Sequence, residues 1–329
     1  MKKNTTVVRH GLLACAALAC LPALAQSSVT IYGRVDLGVF HQNGGTTPTN
    51  GGISPSGPAA NMWQVRQGSA GRIGFRGVED LGGGLEAGFQ MEHRFDADTG
   101  LAHNPYFEAR SYVYVGAPKA WGTVYAGREY IPAFWVALKA DPWGFDTVAT
   151  PGPRHLLANY GVPVSGIRSD NTIGLRSATW GGFSTNVAWS AGEGTRSNTA
   201  GANVEYTSGP LYVGAAYDST TAQQKMWMAA ASYDFGVVRP ALLYARSKVN
   251  NVDSSNVSLT ARVPVSTHLV KLAVSRLDPQ GPGNANLKLS VGYEHFLSKR
   301  TSILANVGSA KQDRLTRTTL FDMSVKHNF

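Results

Sequence analysis

Apolar and polar residues alternate along most of this chain. In "VTIYGRVDLGVF", Ile31, Val35, Leu37 and Val39 share one parity, and Tyr32, Arg34 and Asp36 the other. In "GRIGFRG", Ile73 and Phe75 oppose Arg72 and Arg76, and in "LEAGFQMEHR", Leu85, Phe89 and Met91 oppose Glu86, Gln90, Glu92 and Arg94. "RSYVYVG" sets Val113 and Val115 against Arg110, Tyr112 and Tyr114. "LKLSVGYEH" sets Leu287, Leu289, Val291 and Tyr293 against Lys288, Ser290 and Glu294. The final "FDMSVKHNF" alternates in the same way, with Met323, Val325 and Phe329 opposite Asp322, Ser324 and Lys326. A period of two is that of strands with one apolar face. No stretch beyond the first 25 residues sustains a helical period, so a chain made of strands is predicted.

Tight connections rich in turn residues ("EDLGGG", "WGG", "SGP", "FG", "LSKR") alternate with longer polar stretches such as "HQNGGTTPTNGGISPSGP". The segmentation gives about sixteen strands, an even count with short turns at one end and long loops at the other, as in outer-membrane barrels. The competing all-β architecture, a secreted sandwich or propeller, buries its apolar face in a core. Two features oppose it. The polar face carries charges that a packed interior does not tolerate unpaired. The apolar face carries aliphatics mid-strand and aromatics toward the ends (Phe40, Trp180, Trp189, Tyr233, Phe235, Phe296), as an interfacial girdle does. No later apolar run approaches the ~20 residues of a membrane helix. A closed all-β antiparallel barrel is the other structure that can span a bilayer.

The first residues change the picture of location. Lys2, Lys3 and Arg9 surround the start of an apolar stretch that ends in Ala23-Leu24-Ala25. This is the layout of a secretory signal peptide over 1–25, cleaved between Ala25 and Gln26. A lipobox-like "ALAC" ending at Cys20 is the alternative, with an acylated cysteine at the new terminus. One transmembrane domain over 26–329 is expected to remain. Both cysteines, Cys15 and Cys20, lie in the leader, so the mature chain is expected to hold no disulfide and no thiolate metal site. The formal charge of +9, less the leader's three cations, leaves +6. That excess points to anionic solutes and lipid headgroups as partners, and not to nucleic acid, which an exported chain seldom meets.

No enzyme motif stands out. No lysine precedes Ser or Thr as in a P-loop, and neither G-x-S-x-G nor H-E-x-x-H occurs. The histidines are scattered, so no metal centre is expected, and no cofactor is implied.

"SSVTIYGRVDLGV", "GRIGFRGVEDLGGGLEAGFQME", "WGTVYAGREYIP", "LSKRT" and the terminal Phe329 resemble the Gram-negative general porins, above all the anion-selective branch from β-proteobacteria. The resemblance covers the whole mature chain. It implies a 16-stranded antiparallel transmembrane β-barrel in the outer membrane, a homotrimer, and passive diffusion of small hydrophilic solutes. It also implies contact with outer-membrane lipids and lipopolysaccharide, and a terminal aromatic, here Phe329, that the barrel-assembly machinery reads as a signal.

The same resemblance places the third external loop over 130–168, folded into the barrel to narrow it. Phe134, Trp135, Trp143 and Phe145 would anchor the loop against the wall, leaving Asp141 and Asp146 to face the lumen. Arg72 and Arg168 match constriction arginines of the family, Arg110 matches within one residue, and Glu92 matches the acid beside them. Arg34 has the same lumen parity, whereas Arg128 does not. Arginine stays charged at any relevant pH and offers five donors, so a ladder of them would replace part of an anion's hydration shell and repel cations. The expected function is a water-filled channel favouring small anions. The alternative is a channel selective for an organic acid or sugar, with the loop aromatics as a binding track.

Overall fold

The computed structural model describes residues 28–48, 61–151, 167–194, 197–221, 224–249, 252–279 and 285–329. The expected leader, the Ala25–Gln26 cleavage site and both cysteines lie outside these residues, as do 152–166 of the long connection.

Among the described residues, seventeen strand segments form one antiparallel sheet that closes on itself. The first nine are β1 (Ser28–Gln42), β2 (Met62–Gln67), β3 (Gly71–Gly82), β4 (Leu85–Phe95), β5 (Arg110–Ala117), β6 (Gly122–Tyr130), β7 (Arg168–Ser177), β8 (Phe183–Ser190) and β9 (Thr199–Ser208). The remainder are β10 (Leu211–Thr221), β11 (Gln224–Tyr233), β12 (Arg239–Val249), β13 (Val252–Val265), β14 (His268–Pro279), β15 (Asn286–Phe296), β16 (Thr301–Gln312) and β17 (Thr318–Asn328).

The barrel nevertheless has the expected sixteen staves. β2 and β3 both pair with β1, over Leu37–Gln42 and Ser28–Arg34 respectively, so they are two halves of one stave. The break at 68–70 is bridged by hydrogen bonds. Ser69 N–H donates to the Asp36 carboxylate, Gly71 N–H to Gln67 Oε1, and the Gly68 carbonyl accepts from Thr147 N–H of the long loop. Buried backbone groups need such partners. The stave is interrupted where the loop inserts.

β17 closes against β1 from Arg34↔Asn328 to Gln42↔Leu320. Phe329 then exchanges two backbone hydrogen bonds with Gly33, at 2.9 and 3.1 Å. A Cβ at Gly33 would collide with the Phe329 ring, so glycine is what lets the aromatic lie across the seam. The tight connections quoted above all fall at the barrel end opposite the long ones.

Alternation sorts the faces as read. Val29, Ile31, Val291 and Val325 are exposed on the outside, while Lys288, Ser290, Asp322 and Ser324 are enclosed on the inside. Trp180, Trp189, Tyr233 and Phe235 are exposed, as girdle residues are. Phe296 is exposed too, but it has the inward parity of Glu294 and lines the lumen, so it is not a girdle residue. Phe40 is not one either. It shares the parity of Arg34 and Asp36, points inward, and is buried with Val148 and Leu320.

The expectation of no helix is also corrected. Residues Pro132–Ala140 form a helix, α1, inside the barrel. Ala133, Val136, Ala137 and Ala140 face the wall at helical spacing, but nine residues are too few to register as a long period. The helix packs on Tyr212, Ala216, Met226, Met228, Ala230, Ala241, Leu243 and Ala245 of β10–β12, the largest apolar cluster among the described residues.

Candidate functional site

The connection between β6 and β7 folds inward, as expected of the third loop, and sweeps round the inner wall. Asp218 on β10 accepts from Ala133 N–H at 2.9 Å, placing a carboxylate at the helix N-terminus, where the backbone dipole favours it. Asn203 on β9 donates to the Pro132 carbonyl at 3.0 Å. At the other end, Thr260 and Arg262 on β13 donate to the carbonyls of Ala140 and Asp141, at 2.8 and 2.7 Å. Helix ends leave such carbonyls unpaired, and a cation there complements the dipole.

Beyond the helix, Trp143 Nε1 donates to Asn306 on β16, and its indole fills the space that a Cβ at Gly292 of β15 would need. Lys288 on β15 donates to the Thr150 carbonyl, and Asp322 on β17 accepts from Val148 N–H. The loop thus touches strands from β9 round to the β2–β3 break.

What the loop leaves open is a central cavity of about 880 Å³. Its lining carries eight Arg and Lys side chains (Arg34, Arg72, Arg94, Arg110, Arg168, Arg262, Lys271, Lys326) against five Asp and Glu. The formal excess is three positive charges.

Six of the seven residues expected at the constriction line this cavity: Arg34, Arg72, Glu92, Arg110, Asp146 and Arg168. They are not equivalent. Asp146, from the loop, pairs with Arg34 at 2.9 Å and Arg72 at 3.4 Å, so it tethers the loop to the arginine wall. Glu92 pairs with Arg94 at 2.8 Å and accepts from Tyr32. Arg110 grips the buried Glu129 through Nε and Nη2 and reaches Gln90 with Nη1, so a wall carboxylate already holds it. Arg168 has no carboxylate at ion-pair distance among the described residues. It donates to Tyr130 Oη at 2.8 Å and lies over that ring at 4.5 Å.

Asp141 is the exception and a correction. It does not face the lumen. It is fully enclosed after the helix, where its carboxylate accepts from the Trp143 and Phe145 N–H groups, at 2.8 Å each, and from the Thr150 hydroxyl. Burial raises its pKa, and these hydrogen bonds oppose the rise. A turn needs an acceptor where Asp141 sits, so its chemistry is spent on folding the loop.

Other residues at the site were not singled out from the sequence. Arg94, Glu294 and Lys326 were visible as polar-face positions but not as site residues. Glu294 lies between Lys271 and Lys326, at 2.8 and 2.5 Å, and lines the same cavity. Glu129 binds Arg176 at 2.7 Å as well as Arg110. The register shifts between Gly127 and Glu129, and Arg128 turns to pair with Asp170.

Comparison with known proteins agrees with this architecture. A family model described as Gram-negative porin matches residues 12–315. Outer membrane porin protein 32 of Delftia acidovorans is 30% identical, with 92% of this chain and 90% of that protein aligned. An outer membrane porin protein of Bordetella pertussis is 26% identical, covering 98% of this chain and all (100%) of its own length. Among solved structures, an anion-selective porin from Comamonas acidovorans superposes with a TM-score of 0.79 at 25% identity, covering 92% of this chain and 100% of that one. A loop-deletion mutant of an outer membrane protein of Vibrio cholerae, with a TM-score of 0.71 and 14% identity, shares the fold. The chain belongs to the Gram-negative porin family and is an outer-membrane β-barrel channel.

Proposed function

We propose that this porin passes small hydrophilic solutes by diffusion, favours anions, and is not a catalyst. The observation that carries the selectivity is the state of the loop's acids. In a pore whose loop opposed the arginines with free carboxylates, the two walls would offset. Here Asp141 is buried in the loop's own turn and Asp146 is held by Arg34 and Arg72. The arginine wall therefore keeps a net positive potential, with Arg168 its least compensated member. A relative of known structure is described as anion-selective, which accords with this reading. The test is the reversal potential of the purified protein in a planar bilayer under a potassium chloride gradient. A value of anion sign supports the proposal. A value near zero or of cation sign overturns it.

The assembled form we propose is a homotrimer in contact with outer-membrane lipid and lipopolysaccharide, exported through cleavage before Gln26 and inserted by the barrel-assembly machinery. Phe329 contributes to insertion through the seam, where its backbone and ring both engage Gly33. Deleting Phe329 should lower the yield of heat-modifiable trimer on unheated gels without changing single-channel conductance. Undiminished yield would remove that role. A second reading, selectivity for an organic acid, is favoured by one feature, the apolar lumen side of α1.

A further inference from the structure

We infer that the constriction contains a subsite for small aromatic monocarboxylates, formed between the lumen-facing side of α1 and the arginine wall. The inference rests on the anion-channel reading and adds a substrate class to it.

The lumen side of α1 is where a loop acid would oppose the arginines, and it bears none. Trp135 and Leu138, one helical turn apart, are the partly buried positions of the helix and both line the cavity, with Pro142 and Phe145 beyond them. Lys139, the exposed residue of the helix, does not line the cavity; its ammonium lies 5.9 Å from the Tyr212 ring centroid on β10. The cavity is therefore amphipathic in cross-section, with one side apolar and aromatic and the other cationic.

The two sides meet closely. The Arg110 guanidinium carbon lies 5.6 Å from the Trp135 ring centroid, and Tyr130 packs edge-on to Trp135 at 5.4 Å while Arg168 covers Tyr130. Donors there lack acceptors. Trp135 Nε1 and Arg168 Nε are buried without a hydrogen-bond partner. An unmet buried donor is costly, and a carboxylate supplies two acceptor oxygens. Chloride and acetate satisfy only the cationic side. A planar arene bearing a carboxylate satisfies both, covering apolar surface on Trp135 and Leu138 while its charge stays on the arginines. An uncharged arene satisfies only the apolar side.

The test is block of chloride current in planar bilayers by added benzoate, acetate, cyclohexanecarboxylate and benzamide. Benzoate should reduce the current saturably at a concentration on the order of tenfold lower than acetate, given the apolar area it covers. Cyclohexanecarboxylate should fall between them, and benzamide should have little effect. Trp135→Ala should bring the benzoate-to-acetate ratio close to one, and Trp135→Phe should restore most of it. Trp189→Ala, on the outer face, should change neither. Equal action of benzoate and acetate on the unsubstituted channel, or a ratio that survives Trp135→Ala, overturns the subsite. If the same preparation shows an anion-sign reversal potential, only the subsite has failed. A reversal potential without anion preference removes the channel reading beneath it.

Discussion

The inner wall has two arcs that obey the same alternation and end in opposite chemistry. Along β4 the inward positions are Gln90, Glu92 and Arg94, and along β7 they begin with Arg168. Along the middle of β11 and β12 they are Met226, Met228, Ala230, Ala241, Leu243 and Ala245, every one buried beneath α1, with Ser232 and Ser247 inward at the strand ends. The middle of β11 is apolar on both faces, since Trp227 on the outside is exposed while Met226 and Met228 are not. The difference shows what "polar inside" means in such a barrel. The rule follows water and not the lumen as a place. Where the loop excludes water, the inward face reverts to the composition of a protein core. The apolar arc thus seats α1 away from the cationic arc, which the loop meets through Asp146.

The strongest way to break this comparison is to put charge under the helix. Met228→Glu would bury a carboxylate with no cation beside it, at a cost of several kcal/mol. The loop is expected to lift away instead. Single-channel conductance should then rise roughly twofold or more, with weakened ion preference, because the field acts across a wider aqueous pore. An unchanged conductance in properly assembled barrels would mean that the loop is held by its other contacts and that the apolar arc is not what seats it.

Next in size is reversal of one charge on the open arc. A unit charge ~5 Å from a permeating ion in water acts with about 0.8 kcal/mol, so a two-unit change is worth on the order of tenfold in anion partition. Arg168→Glu should lower the anion-to-cation permeability ratio, read from the reversal potential, by that order in dilute salt, and Arg168→Ala by less. The effect should fade as salt rises, since the Debye length is only about 10 Å at 0.1 M. Arg317→Glu should matter far less. Arg317 is exposed in the last external loop, bonded to Ser309, and bulk salt screens it. The reverse ranking would place the selective region elsewhere. Glu92→Gln should strengthen anion preference, by less than Arg168→Glu weakens it, because Glu92 already belongs to Arg94.

A smaller effect separates paired from unpaired arginines within the same arc. Arg110→Ala leaves the buried Glu129 with Arg176 alone. The loss of stability should stay below the ~3–5 kcal/mol of a fully stranded buried charge. It is read as a lower heat-unfolding midpoint in detergent. Adding Glu129→Gln conserves the cluster's net charge and should recover much of the midpoint, with a reversal potential near that of the parent. No recovery would mean that Arg110 acts through its stacking on Tyr112, Tyr130 and Trp135 and not through its carboxylate.

The barrel was legible because alternation is local. Each strand states its own faces, and pairing only stacks them, so parity alone put Arg34, Arg72 and Arg168 inside. What was not legible depends on one segment covering another. Asp141 looked like a lumen acid because nothing local says that the Trp143 and Phe145 amides will turn back onto it. Phe40 looked like a girdle aromatic because its position near a strand end fits one, although its parity with Asp36 already pointed inward. Glu129 was hidden by its place in "GREYIP", beside an arginine of outward parity and a register shift that sequence does not announce. The docking site of α1 did leave a trace that was passed over. "MWMAAASY" and "PALLYAR" offer few polar residues on either face, as strands covered on both sides do.

The smallest expected effect lies at the rim of the cationic arc, in the connection between β4 and β5. His103 bonds Asp96 through Nε2 at 3.0 Å and Glu108 through Nδ1 at 2.8 Å. A neutral imidazole has one N–H and cannot donate to both carboxylates, whereas the imidazolium can. Burial lowers the His103 pKa, the bonds and charges of Asp96 and Glu108 raise it, and the net shift is upward from 6.5. For a cation favoured in the folded state, the stabilisation is complete below the unfolded value and is lost as pH climbs through the higher folded value. The ring is partly exposed, so the pair is worth no more than about 1 kcal/mol. Hydrogen exchange of residues 96–109, corrected for intrinsic rates, should therefore show protection that declines modestly above pH 6.5. The Asp96 and His103 amides, which donate to the Leu101 and Arg94 carbonyls, are the ones to follow. His103→Gln keeps a donor and removes the titration, so its protection should be flat over the same range. A parallel decline in that variant would assign the loosening to some other group and leave His103 as a fixed hydrogen-bond donor.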